Sequence, residues 1–326
     1  MNADSVKARL KNFAVSSGCT FQEALVYYGL ERTIYRISVS QYASHFVLKG
    51  GIFLYAVFDR KYSRATTDVD LLARCISNSA EEMKAVIRDI LAQDTDDALV
   101  FDLDSIKAED ITEFKEYHGL HISAVAYLDR TRIPIGIDIG FGDVIYPNAV
   151  EMEFPVILDM EAPRVNAYSL ESSIAEKLEA IVKNGFLNSR YKDFYDIYVL
   201  SEKYPFNYEK LQNAVTETFT NRKTLMTMDT AAFSDEFLGD TMHQTRSQIV
   251  LTIVFGTASA EMKSTRRYWR VQSFTIAPFS LSVVFTSSEA LISTKLPPHN
   301  TSLGVYVISL IASPELLPRR IRPSLS

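Results

Sequence analysis

Between Leu99 and Ile145 the sequence alternates apolar with other residues three times, in LVFDLDSIKAEDI (99–111), LHISAVAYL (120–128) and IPIGIDIGFGDVI (133–145). Successive side chains of a strand point to opposite faces. A period of two therefore buries one face of each segment and leaves the other open. Turn residues separate the segments, so they read as successive strands of one sheet.

Around this block the period changes to that of a helix. Residues 4–14 and 20–37 read as helices, the second with Phe21, Leu25, Tyr28 and Ile34 on one stripe and a Thr20–Glu23 capping box. HFVLKG (45–50) reads as a short strand ending in a Gly50-Gly51 turn, IFLYAVF as a buried helix, TTDVDLLAR (66–74) as the next strand and SAEEMKAVIRDILAQ (79–93) as a helix. EFPVILDMEAPRVNAYS (153–169) reads as extended and turn-like. Ser169 then caps a helix over 170–185 that stops at Gly185, and two more helices follow over 189–204 and 207–222.

Strands and helices in this order predict an α+β fold: a mixed sheet followed by a helical C-terminal part. The expected organisation is N-terminal helices over 1–40, a sheet domain over 41–165, a helical domain over 166–246 and an atypical tail over 247–326. That tail holds 21 Ser or Thr and eight Lys or Arg against three acids, and helical periodicity stops there. Composition and period change together, which favours translation out of the original frame after about Arg246 over a divergent domain.

The chain carries a net charge of −6, which argues against attachment to nucleic acid by bulk charge and leaves room for a local basic groove. Cys19 and Cys75 form no CxxC pair, so neither a disulfide framework nor a structural zinc site is expected. The N-terminus has no apolar signal segment, and no apolar run is long enough to span a bilayer; a cytoplasmic protein with no membrane partner is the expectation.

The chemistry concentrates in RATTDVDLL (64–72). On a strand, Asp68 and Asp70 share one face, and two carboxylates side by side are costly unless a cation lies between them. Two readings follow: a solvated strand start, or ligands for a Mg²⁺ that also binds nucleotide phosphates. Asp138, in an otherwise apolar strand, is the candidate third acid; Asp143, in the turn-like GFGD, is a weaker one. Gly50-Gly51 before a helix lets backbone N–H groups approach a phosphate, or is a structural turn. Thr66 shares the face of the two acids, and Arg64 is either a phosphate partner or solvated. His118 and His121 read as residues flanking a strand turn rather than as metal ligands.

A second set lies on the helices. Lys177 sits at the edge of an apolar stripe and Asp193 stands among Tyr191, Phe194 and Ile197. Helix periodicity alone reads them as a surface pair and a helix-packing salt bridge.

FVLKGGIFLYAVF and RATTDVDLL, followed by VNAYSLESSIAEKLEAIVKNGFLNSRYKDFYDIYVL, together resemble the AbiEii-type abortive-infection toxin nucleotidyltransferases, a family similar also to the MenT toxins. The resemblance covers roughly residues 40–245, with four motifs in order: the Gly-Gly turn, the TxDxD strand, the EK helix and the RxKDxxD helix. It implies a metal-dependent nucleotidyltransferase fold using Mg²⁺ and an NTP substrate. Thr66, Asp68, Lys177 and Asp193 match the family's functional positions, with Asp70 as the second motif acid.

The expected catalytic set is thus Asp68, Asp70, Lys177 and Asp193, and the nucleotide-binding set is Lys49, Gly50, Gly51, Arg64, Thr66, Arg190 and Lys192. The metal set is Asp68, Asp70 and Asp138, the last from the strand argument alone. The resemblance also implies a neighbouring antitoxin, a role in phage defence, and the 3′ end of a tRNA or a protein hydroxyl as acceptor. RNA would need a local basic strip such as Lys183, Arg190 and Lys192. The alternative is a nucleotide-binding regulator that acts through a protein partner without transfer.

Overall fold

The computed structural model describes residues 1–61, 66–111, 119–184 and 191–225, together with the backbone of four short strands between Trp269 and Lys295. The chain divides into two compact units, Met1–Ser169 and Leu170–Ser326.

The first unit opens with α1 (Ala3–Ser17) and α2 (Phe21–Val39). Asn2 caps α1 and Gly18 ends it with φ 68°. Thr20 and Glu23 close the expected capping box on α2, each satisfying a backbone N–H that the first turn leaves without a helical partner. β1 (Phe46–Lys49) runs directly into α3 (Gly50–Val57), so the two glycines are the first residues of a helix rather than a separate turn. β2 (Asp68–Ala73), α4 (Ala80–Leu91), β3 (Leu99–Asp110), β4 (Gly119–Leu128) and β5 (Thr131–Phe141) follow. The segment read as extended contains two short strands, β6 (Val150–Glu153) and β7 (Arg164–Ala167).

These strands form one seven-stranded mixed sheet in the order β3-β4-β5-β2-β1-β7-β6. β2 is parallel to β5 and β1 to β7, and the other pairs are antiparallel. The alternation does what its period demands. Leu120, Ile122, Ala124, Ala126 and Leu128 of β4 pair in register with Ile139, Ile137, Ile135, Ile133 and Thr131 of β5, and all but Thr131 are buried. α2 packs on β5, β7 and β2, and α4 packs on β3. The opposite face of β4 and β5 carries His121, Ser123, Arg132, Gly136 and Asp138, which are half-buried or exposed.

A buried ionic cluster ties α2 to the start of β3. Arg36 donates to both oxygens of Asp97, at 2.6 and 3.1 Å, and to the Leu99 carbonyl at 3.3 Å. Thr95 and the Leu99 N–H complete the Asp97 carboxylate, and the Tyr28 hydroxyl donates to the Asp97 carbonyl. Glu31, 1% exposed, pairs with Arg32 and accepts from the Ile157 N–H at 2.6 Å. Burial nonetheless outweighs the Arg32 guanidinium and pushes the Glu31 carboxyl up to about 7.

The second unit contains α5 (Leu170–Asn184), α6 (Tyr191–Lys203) and α7 (Tyr208–Asn221), with α5 packed against both others. Ile174, Leu178 and Ile181 of α5 and Leu211, Val215 and Phe219 of α7 supply its core at helical spacing. Arg222 clamps Glu176 and Glu179 at 3.0 and 2.8 Å, and Thr224 also donates to Glu179.

The tail expected to depart from the family lies outside the described residues except for β8 (Trp269–Arg270), β9 (Phe274–Ile276), β10 (Phe279–Phe285) and β11 (Ala290–Lys295). These form a second sheet in which β10 pairs with each of the other three.

Candidate active site

The open face of the first sheet gathers the acids. Asp68 and Asp70 both lie on β2, one pleat apart, and both are half-buried. Asp70 is the direct partner of Asp138 on the parallel strand β5, and of Lys49 on the antiparallel strand β1. Asp138 in turn is opposite His121 on β4. One row across four neighbouring strands therefore reads Lys49, Asp70, Asp138, His121. Neighbouring strands are about 4.8 Å apart, so each side chain is within reach of the next.

Each carboxylate is fixed by a donor of its own. The Gly51 N–H, at the start of α3, donates to Asp70 Oδ2 at 3.1 Å. Gly50 makes this possible: its φ is 67°, and a Cβ there would lie 2.2 Å from the same oxygen. The glycine pair thus seats a motif carboxylate at the positive end of a helix. Asp68 Oδ2 accepts from the Thr67 hydroxyl at 2.7 Å. Asp68 Oδ1 lies over Gly136, where a Cβ would come within 2.0 Å of it. Asp138 Oδ1 accepts from His121 Nδ1 at 2.6 Å.

Lys49, at the end of β1, ion-pairs with Asp143 at 2.9 Å and lies 5.1 Å from the centre of the Tyr168 ring. Asp143 is thus the ion-pair partner of Lys49, in the irregular stretch after β5. Thr66 is buried just before β2, with its hydroxyl 3.4 Å from the Asp68 carbonyl oxygen, and the close hydroxyl contact to the Asp68 side chain comes from Thr67 instead. Arg64 lies outside the described residues.

Beside Asp68 a cavity of about 470 Å³ opens across β3, β4 and β5. Thr67, Asp68, Lys107, His121, Ser123 and Arg132 contribute its polar wall, and Val26, Val125, Pro134 and Ile135 its apolar part.

In the second unit the two helix motifs do meet. Lys177 of α5 donates to Asp193 Oδ1 at 3.2 Å and to Asp196 Oδ2 at 2.5 Å on α6. Their side chains are 12%, 5% and 0% exposed, so one ammonium is shared by two nearly dry carboxylates. Asp196 lies one turn beyond Asp193, the spacing that puts both on one helix face. Lys192 is exposed on α6, and Arg190 lies outside the described residues.

One partner escaped the sequence reading, and two were named there without their present contacts. His121 sits inside β4, and the alternation of LHISAVAYL places it on the open face with Ser123. The TxDxD spacing points to Thr66 rather than Thr67 because it starts the strand at 66, two residues before β2 begins at Asp68. Asp196, the last acid of RxKDxxD, shares the Lys177 ammonium with Asp193.

Hard oxygen donors in this arrangement suit a cation such as Mg²⁺, and three acids so close repel one another without one. Asp68 Oδ1 and Asp138 Oδ2 have no hydrogen-bond partner among the described residues. As placed, the three share a face, with Asp70 and Asp138 in register and Asp68 one pleat away, and no group of three such ligands among the described residues is arranged to hold a metal ion.

The chain thus has an α+β fold whose mixed sheet carries a glycine-led helix start beside acids on adjacent strands. Residues 32–273 match the family model for the nucleotidyl transferase AbiEii toxin of type IV toxin–antitoxin systems, and the chain belongs to that family. The match reaches past Arg246. Comparison with curated proteins gave no match. Among solved structures, the chain is similar to MenT4, a nucleotidyltransferase toxin from Mycobacterium tuberculosis, at 14% identity over 64% of this chain and 68% of that one, with a TM-score of 0.44. It is also similar to a putative nucleotidyltransferase from H. pylori at 13% identity, covering 68% and 88% of the two chains, with a TM-score of 0.39. JHP933 from Helicobacter pylori gives 13% identity, 69% and 88% coverage and a TM-score of 0.39. No helix among the described residues is long and apolar enough to cross a membrane.

Proposed function

We propose that the open sheet face of the first unit is a nucleotidyl-transfer site that uses an NTP and a divalent metal such as Mg²⁺. The observation that carries this reading is the row of Asp70 and Asp138 in register on parallel strands, with Asp68 one pleat away. Asp68, Asp70 and Asp138 would hold the metal, which when bound neutralises charge developing on the transferred phosphate. An acceptor hydroxyl attacks the α-phosphorus in line; its new P–O bond replaces the bond to the β-phosphate, pyrophosphate leaves and the hydroxyl proton is released.

The chain's own groups supply the rest. Lys49, held near Asp143 and Tyr168, and the backbone of Gly50 and Gly51 face the phosphates, with Arg64 and Thr66 as further nucleotide contacts. Within the second unit, Lys177, whose ammonium Asp193 and Asp196 hold, is proposed as a phosphate-binding cation, with Arg190 and Lys192 as further nucleotide-binding residues of that unit.

The acceptor proposed is an RNA 3′ end, such as that of a tRNA, with a protein hydroxyl as the other outcome of the test. The cavity beside Asp68 supports an anionic acceptor, because Lys107 and Arg132 line it and neither is ion-paired among the described residues. Family membership further supports a cognate antitoxin encoded next to the chain, a role in phage defence and action in the cytoplasm.

The test is transfer of label from each of the four α-labelled NTPs to total RNA and total protein, comparing wild type with Asp68→Ala. Label on RNA in the wild type alone supports the reading. Nucleotide binding with no label on either acceptor would leave a regulator that works through a partner protein.

A further inference from the structure

We propose that His121 is a positioning residue for Asp138: its ring holds one carboxylate oxygen so that the other is presented to the cation shared with Asp68 and Asp70. The proposal rests on the reading of Asp138 as a metal-holding acid.

Three observations lead to it. His121 and Asp138 are direct partners on antiparallel strands, so the sheet register itself places the ring beside the carboxylate. The contact is short, 2.6 Å from Nδ1 to Oδ1, and a carboxylate only accepts, so Nδ1–H donates. Both side chains are partly open, 39% and 38% exposed, where a cross-strand polar contact contributes little to stability. A short, well-registered hydrogen bond in a wet place is better suited to fixing a direction than to holding a fold.

Gly136 supplies one more. A Cβ at this position would lie 3.4 Å from His121 Cε1 and 2.0 Å from Asp68 Oδ1. The edge of the imidazole thus comes to van der Waals distance of the bare backbone at Gly136, which Asp68 Oδ1 also approaches, so a methyl there would displace Asp68 and only touch the ring. With Oδ1 occupied by the ring, Oδ2 of Asp138 is the oxygen left for a cation. Partners of this kind orient a metal's own ligands and raise their donor strength, and their loss typically costs 10–100-fold in metal affinity.

The experiment is Mn²⁺ binding to the full chain, read by electron paramagnetic resonance with a non-hydrolysable NTP analogue present. Wild type, His121→Ala, His121→Asn and Asp138→Asn are compared after each is shown to melt cooperatively. The expected result is a 10–100-fold weaker Mn²⁺ Kd in H121A and recovery of most of it in H121N, whose amide N–H can reach the same oxygen. In transfer assays the same pair should differ mainly in kcat, because nucleotide contacts are untouched. Wild-type Mn²⁺ affinity in H121A, alongside a clear loss in D138N, would overturn the positioning role alone. Wild-type affinity in D138N would overturn the site reading beneath it. If H121A fails to melt cooperatively, H121N carries the test against D138N.

Discussion

Asp70 and Asp138 occupy directly opposed positions on two parallel strands, with their carboxylates on the same face of the sheet. Two like charges in such a pair disfavour folding unless a cation lies between them. The conflict gives a way to separate function from stability. Asp70→Asn should leave the melting temperature of the metal-free protein unchanged or higher, and should abolish the rise in melting temperature caused by Mg²⁺ with an NTP analogue. Differential scanning calorimetry with and without Mg²⁺ reads both effects. A metal-free destabilisation of several kcal/mol would instead make Asp70 a structural acid.

Gly136 and Gly50 are predicted to be intolerant of even one methyl group. Gly136→Ala places a Cβ where Asp68 Oδ1 now lies, and Gly50→Ala adds a left-handed backbone strain to a clash with Asp70. Overpacking of this kind costs roughly 1–3 kcal/mol, whereas a displacement of about 1 Å at a reacting centre costs on the order of 100-fold in rate. Both variants should therefore unfold only slightly earlier in urea and lose nearly all transfer. Full activity in Gly136→Ala would mean that Asp68 does not need its present position.

The Lys177 cluster should respond asymmetrically. Lys177→Met leaves Asp193 and Asp196 buried together without their shared cation, and breaking a buried pair in this way costs about 3–5 kcal/mol. Asp193→Asn keeps the 2.5 Å contact to Asp196 and should cost clearly less. Chemical denaturation of the two variants, each against wild type, measures the difference. Equal losses would show that the ammonium depends on Asp193 as much as on Asp196.

Glu31 predicts a pH dependence of stability. Its folded value of about 7 lies above the ordinary 4.5, so between these values the folded state holds the proton that the unfolded state has lost. Stability then falls as pH rises from 4.5 to 7 and levels off above, by at most about 3 kcal/mol for this one group. Glu31→Gln removes the titration, so the fall measured by thermal melts between pH 5 and pH 8 should shrink. An unchanged slope would assign the dependence to other groups.

Much of the fold was open to reading because single periods run unbroken through it. The alternation in 120–128 and 133–145 fixed which side of β4 and β5 is buried, and the capping box at Thr20 and Glu23 marked the start of α2 to the residue. β6 and β7 were not legible as strands because each is four residues long, too short for a period to show, and their pairing is decided by distant strands. The acids of the site were legible as a pattern, since an Asp in the alternation of IGIDIG stands out by its cost. Their partners were not. Which donor meets Asp68, Asp70 or Asp138 depends on strand register and on the bare backbone of Gly136 and Gly50, and register is set by the assembled sheet.

The central claim is that the face bearing Asp68, Asp70 and Asp138 transfers nucleotides. The most direct measurement is label transfer from an α-labelled NTP to purified RNA, in Mg²⁺ and in EDTA, by wild type, Asp70→Asn and Asp138→Asn. The account predicts Mg²⁺-dependent labelling by the wild type and a loss of at least about 100-fold in each variant, the scale seen when electrostatic stabilisation of a transition state is removed. Wild-type labelling that survives in both variants would contradict it.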